Sequence, residues 1–147
     1  MSSKIKTGKK FMQITGWFMV VMSILWIFAT DIVFVSDFLG YTGSSFADYK
    51  LVAPDFANIY IITKKLIGLM ILSSGVLTLF ITHNSYSNGE KWSWYALLSV
   101  AVIIWCSLLG YRIYIGYVAP SMITFLLGFG INLVGLILPA KEFLEEK

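Results

Sequence analysis

Asp31, Lys64 and Lys65 are charged residues that stand beside long apolar stretches of this chain and approach them from the same side in segment order. An unpaired charge deep in an apolar layer costs about 2.5–3.5 kcal/mol even on a lenient insertion scale. Such residues therefore either pair with one another or stretch their ends to water. We expect Asp31 to pair with Lys64 or Lys65, closing one mouth of the molecule and forming its candidate polar site. Lys64 and Lys65 precede Gly68 by four and three residues, so at least one of them should flank an inward helix face. A second polar position is Asn132, four residues after Gly128 in the last apolar stretch. It is expected to face inward and to hydrogen-bond across the interior, a contact worth about 0.6–2 kcal/mol.

The other reactive side chains are isolated. His83 is the sole histidine and Cys106 the sole cysteine, so no intramolecular disulfide or Cys/His metal set can be built from one chain. No nucleophile stands beside a base, and no pair of carboxylates lies within an apolar stretch. No catalytic, cofactor-binding or metal-ligating residue is assigned, no cofactor is expected, and the reading leans away from an enzyme. Cys106 reads as a buried, inert thiol, and His83 as a solvated residue at a helix end.

The elements that position these residues follow from hydropathy. Uncharged runs occupy residues 11–30, 66–82, 92–111 and 113–140, against roughly 17–25 residues needed for a helix to cross a bilayer. Hydrophobic residues make up 58% and charged residues 13% of the chain, and the mean hydropathy is +0.80. A soluble domain carries about 25% charge. Only helices and closed barrels satisfy every backbone polar group inside a membrane, and runs of this length are helical. The expectation is an all-α, multi-pass protein of the cell membrane. Its single domain, 1–147, holds four transmembrane helices in an antiparallel left-handed bundle. The spans are about 11–35, 57–82, 92–112 and 118–139, with a long outer loop over about 36–56.

Lys4, Lys6, Lys9 and Lys10 followed by an apolar run resemble the start of a secretory signal, but the run exceeds the usual core of roughly 7–15 residues. No small-x-small cleavage pattern surrounds Ala29-Thr30-Asp31, so the first helix is expected to be retained. Counting basic residues orients the spans. Lys4, Lys6, Lys9, Lys10, Lys91, Lys141 and Lys147 share one side, while Lys50, Lys64, Lys65 and Arg112 share the other. The positive-inside rule then places both termini in the cytoplasm. The net charge of +3 is explained by that signal and by contact with anionic lipid, with no case for nucleic acid.

Aromatic residues mark the span ends: Trp92, Trp94 and Tyr95 at one boundary of the third, Tyr111, Tyr114 and Tyr117 at the other. The polar segment 83–90 reads as a tight turn, as does the stretch 116–120. Residues 36–60 form a much longer connection. Phe38, Tyr41, Phe46, Tyr49, Phe56 and Tyr60 suggest that it lies on the membrane surface or over the mouth. Small residues recur every seven positions: Gly16, Ser23 and Thr30; Gly68, Gly75 and Thr82; Ser121, Gly128 and Gly135. The third span offers Ala96, Ser99, Cys106 and Gly110. Close approach through small residues drives helix association in lipid, and a seven-residue period suits crossings near +20°. Ser73, Ser74 and Thr78 are expected to bond carbonyls of their own helix.

At Gly89-Glu90-Lys91-Trp92-Ser93-Trp94-Tyr95 the chain resembles small four-helix prokaryotic membrane proteins of unknown function, loosely grouped as DoxX-like. Ser87-Asn88 stands where those proteins often carry a basic residue. The resemblance implies a four-helix membrane fold and transfers no site residue. The function expected is non-catalytic: an accessory or scaffold subunit, or a binder of an apolar ligand within the membrane. A transporter or channel component acting as an oligomer is the alternative, and a membrane enzyme ranks third. The expected partners are membrane lipids and a larger membrane complex or further copies of the chain.

Overall fold

The computed structural model describes residues 2–116 and 120–145, with the side chains of Ser36, Ile115, Pro120 and Ser121 outside that description. Tyr117, a proposed interface anchor, Lys147 of the basic count, the start of the fourth span at 118 and most of the 116–120 turn also lie outside the described residues. The described chain is helical throughout and contains no strand. Helix α1 is Ser3–Phe28, capped by the Ser2 hydroxyl, which accepts from the Ile5 N–H. Two breaks follow, giving α2, Thr30–Val33, and α3, Val35–Thr42. Helix α4 is Phe46–Val52 and α5 is Pro54–Asn84, the latter opening on a proline at its first turn, where no intrahelical N–H is needed. Lys91–Val100 is α6, Ser107–Ile115 is α7, Pro120–Ile137 is α8 and Ala140–Leu144 is α9.

Among the described residues three helices are long and apolar enough to cross a membrane, Ser3–Phe28, Pro54–Asn88 and Lys91–Tyr114, with Met122–Ile137 a shorter apolar helix. In place of a plain loop, the segment expected to connect the first two spans is folded as α3 and α4. Gly43, at φ 71°, ends α3 in the left-handed region that favours glycine. Ser45 then caps α4 by accepting from the Ala47 N–H.

Burial on α1 runs in two seven-residue series, Ile5-Met12-Met19-Trp26 and Gly8-Gly16-Ser23-Thr30, the latter with one step of eight. Helix α5 repeats the pattern with Ala57-Lys64-Ile71-Thr78 and Gly68-Gly75-Thr82. Helix α1 is the hub, packing along α5 and α8. A Cβ on Gly75 would stand 3.0 Å from the Met19 Cβ and 3.1 Å from the Gly16 carbonyl oxygen. A Cβ on Gly68 would meet Ile27 and Trp26 at 3.1 and 3.2 Å, and one on Gly135 would meet the Met12 sulfur at 2.7 Å. Helix faces this close trade side-chain bulk for backbone proximity.

The third span departs from the expected seam. Its buried line is Ser93, Leu97, Ala101 and Trp105, while Ser99, Cys106 and Gly110 are exposed and Ala96 is half-buried. Cys106 is thus an outward-facing thiol, correcting the buried one expected. Steps of four advance about 40° each around a 3.6-residue helix, which would carry the line off the interior. Between Ala101 and Cys106 the backbone widens into a π-helical turn, whose extra residue offsets that drift. Trp105 needs the space it reaches: a Cβ on Gly128 would come within 2.2 Å of its ring.

Candidate functional site

The polar cluster of the described structure gathers at the end where α3 and α4 lie. Arg112, near the end of α7, donates from Nη2 to Asp37 Oδ2 on α3 at 2.5 Å, and both side chains are 2% exposed. Among the described residues Asp37 Oδ1 and Arg112 Nε and Nη1 have no hydrogen-bond partner. Beside this pair, Lys64 is buried at 7% exposure on the inward series of α5. Its ammonium stands 4.8 Å from the centre of the Phe34 ring, 5.2 Å from Tyr60 and 4.7 Å from Tyr111. It also donates to the Tyr111 hydroxyl at 3.3 Å. Three ring faces and one hydroxyl replace part of its hydration shell. The Arg112 guanidinium lies 5.9 Å from the same Tyr111 ring and 5.4 Å from Phe125.

The lid over this cluster is aromatic. Phe38 meets Phe46 and Tyr49 at 5.0 Å and Tyr60 at 5.5 Å, centre to centre. With Ala57 these residues form a small core separate from the main one. Tyr41 and Phe56 face outward. Asp37 and Phe38 are adjacent, so the helix that packs the lid also carries the carboxylate to Arg112.

The placement of Asp31, Lys64 and Lys65 differs from the expected pairing. Lys64 enters the interior, whereas Asp31 and Lys65 are exposed, and none of the three takes part in an ion pair among the described residues. Thr30 takes the inward place on α2, with its hydroxyl donating to the Trp26 carbonyl. Asp31 is one residue further, about 100° round the helix. Lys65 has the same relation to Lys64. The acid that reaches the interior is Asp37, and its partner is Arg112. A sequence signal for Arg112 existed: it is the chain's only arginine and the only charge between Lys91 and Lys141. Asp37 had no such signal, because only the fold-back of α3 brings it to the mouth.

Asn132 is fully buried on α8, yet among the described residues neither its Oδ1 nor its Nδ2 has a partner. The expected cross-helix hydrogen bond is not made. Ser73 and Ser74 donate to Leu69 and Met70 carbonyls at 3.0 Å, as expected, but the buried Thr78 hydroxyl is unpartnered. His83 is exposed at the far end of α5. Among the described residues no group of three or more His, Cys, Asp or Glu could hold a metal ion.

Below the charges the interior carries no further buried ionised side chain among the described residues. A small void of about 10 Å³ is lined by Trp26, Ile71, Ile104, Trp105, Leu108 and Phe125, among others. A groove of about 180 Å³ runs outside it between α5 and the third span, and Ile71, Ile104 and Leu108 line both. Ile67, Met70, Ile103 and Ser107 complete its wall. Lys64 lies one turn from Ile67 on α5, and Arg112 one turn from Leu108 on α7, so a buried cation follows each wall at the same end, outside the groove's own lining.

Compared with models of known families, with curated proteins and with solved structures, the chain finds no match.

Proposed function

We propose that this chain is an integral membrane protein of four antiparallel helices, with α8 as the fourth span, and that it binds an apolar membrane ligand without catalysing a reaction. The antiparallel arrangement is supported by contacts that run in opposite senses: Gly16 meets residues 75 and 79 of α5, while Gly68 meets residues 23, 26 and 27 of α1. Both termini belong on the cytoplasmic side, as the seven-to-four distribution of basic residues indicates. In a Cys106→Ser background, cysteines at Ser3 and Ser87 should resist an impermeant thiol reagent in intact cells, while one at Ser45 should react. Labelling at Ser3 or Ser87 before lysis reverses the orientation.

The observation that carries the ligand reading is the groove between α5 and the third span, apolar along its walls, with Lys64 and Arg112 one helical turn beyond its Ile67 and Leu108. Its volume falls short of the roughly 300–1,000 Å³ of a pocket that encloses a drug-sized molecule. It suits a segment of acyl chain entering sideways, with the rest left in the bilayer. The exposed Ser107 stands in its wall, so Ser107→Trp fills it without touching the core. After mild extraction, Ser107→Trp should retain less lipid per protein than the parent chain. Equal retention by the two removes the groove as a lipid site.

A further inference from the structure

Arg112, Lys64 and Asp37 together bury two cations and one anion. Among the described residues the carboxylate is engaged by Arg112 through one oxygen, leaving Lys64 with no carboxylate and Arg112 with two N–H-bearing nitrogens unpartnered. Buried charges and buried donors are normally matched, because leaving them unmatched forfeits their hydration without replacement. The matching group that a guanidinium and an ammonium select is an oxyanion, held by charge-assisted hydrogen bonds. We propose that the Lys64–Arg112 mouth recognises an anionic head, a phosphate or carboxylate, borne by the amphiphile whose chain lies in the groove below. The inference rests on that reading of the groove and adds the charge class of the ligand.

Three observations converge on it. The cations lie at the same end of the two groove walls, both against the Tyr111 ring. The excess charge is positive and sits on residues that are 7% and 3% exposed, unlike the solvated lysines of a general lipid-attracting surface. Helix α3 supplies Asp37 to Arg112 Nη2 alone, so Nη1 and Nε, closed to solvent and without a partner among the described residues, are the positions left for an oxyanion that binds with the acid in place.

The test is lipid selection by the full chain. Protein reconstituted with equal amounts of phosphatidylglycerol and phosphatidylcholine, then extracted mildly, should carry the anionic lipid enriched on the order of ten-fold, the scale of one charge-assisted hydrogen-bond set. Lys64→Gln should bring the ratio towards that of the bilayer, and the exposed neighbour Lys65→Gln should leave it enriched. Asp37→Asn, which frees Arg112, should increase both the enrichment and the thermal protection given by phosphatidylglycerol. This variant keeps the test open if Lys64→Gln does not fold. Inorganic phosphate, added to lipid-depleted protein in neutral detergent, separates the two sources of the anion. Protection by phosphate equal to that by phosphatidylglycerol assigns a soluble oxyanion, and protection by the lipid alone assigns a headgroup. A bulk lipid ratio in the parent chain without phosphate protection, or equal losses in Lys64→Gln and Lys65→Gln, overturns the anion site. If Ser107→Trp still reduces lipid retention in that case, the groove stands and only the head selection falls.

Discussion

The two ends of the molecule solve the same problem in opposite ways. At the end carrying the described termini, several side chains bond to backbone carbonyls, although the buried Thr82 hydroxyl has no partner among the described residues. The Tyr86 hydroxyl donates to the Gly135 carbonyl, Trp94 Nε1 donates to the Leu136 carbonyl at 2.9 Å, and the Ser93 hydroxyl donates to the Glu90 carbonyl. Tyr86, within a segment that reads as a polar turn, is fully buried and stacks against Phe143 at 4.6 Å. Glu90, outside the spans, accepts from Trp92 Nε1, and that bond holds its carboxyl below the usual range. At the opposite end, charges are buried with bonding capacity left over, and a separate aromatic core covers them. The difference is one of charge: the first end leaves a neutral hydroxyl over, the second leaves ionised groups with bonding capacity.

Breaking the ion pair should have the largest effect. Arg112→Met leaves Asp37 buried and unpaired and should cost about 3–5 kcal/mol, whereas replacing both residues, Asp37→Leu with Arg112→Met, should recover most of that loss. Thermal unfolding of the two single variants and the double variant in detergent measures this coupling. Additive losses would mean that the pair does not act as a unit. Next in size is the shared seam between the two ends. Gly75→Ile drives bulk against Met19 and the Gly16 carbonyl and should cost about 1–3 kcal/mol. Leu69→Ile, on an exposed face, should change stability by less than about 0.5 kcal/mol. The same unfolding measurement decides it, and equal midpoints for both variants would contradict the packing argument. The smallest effect belongs to the end carrying the described termini. Tyr86→Phe removes one buried donor and should cost about 1 kcal/mol while leaving lipid selectivity unchanged. Altered lipid selectivity in Tyr86→Phe would dissolve the functional contrast between the ends.

The inward faces of α1 and α5 were legible because a seven-residue period of small residues survives in a regular helix: Gly16, Ser23, Thr30, Gly68, Gly75 and Thr82 are all buried. Gly128 and Gly135 are buried likewise, while the side chain of Ser121 lies outside the described residues. The third span was misread from its start, because Ala96 and Ser99 already lie off the buried line of Ser93, Leu97 and Ala101, and the π-helical turn that follows keeps Trp105 on that line and leaves Cys106 outside it. Periodicity counts residues and cannot register a wider turn. The segment 36–56 was legible as aromatic cover, but its two short helices arise from local caps at Gly43 and Ser45 together with packing on Phe38.

Hydropathy acts along the chain, residue by residue, and by itself it determined the all-helical class and the presence of helices apolar enough to span a membrane. It also determined that charge would be scarce inside, which made any interior charge informative. Which charges go inside was decided only in three dimensions. Asp31 and Asp37 differ little as sequence, but the breaks after α1 and α2 turn the first outward and fold the second back over the bundle end, 75 positions from its partner Arg112. An ion pair between such distant residues depends on the path of the whole backbone between them, and that path is a property of the packed helices.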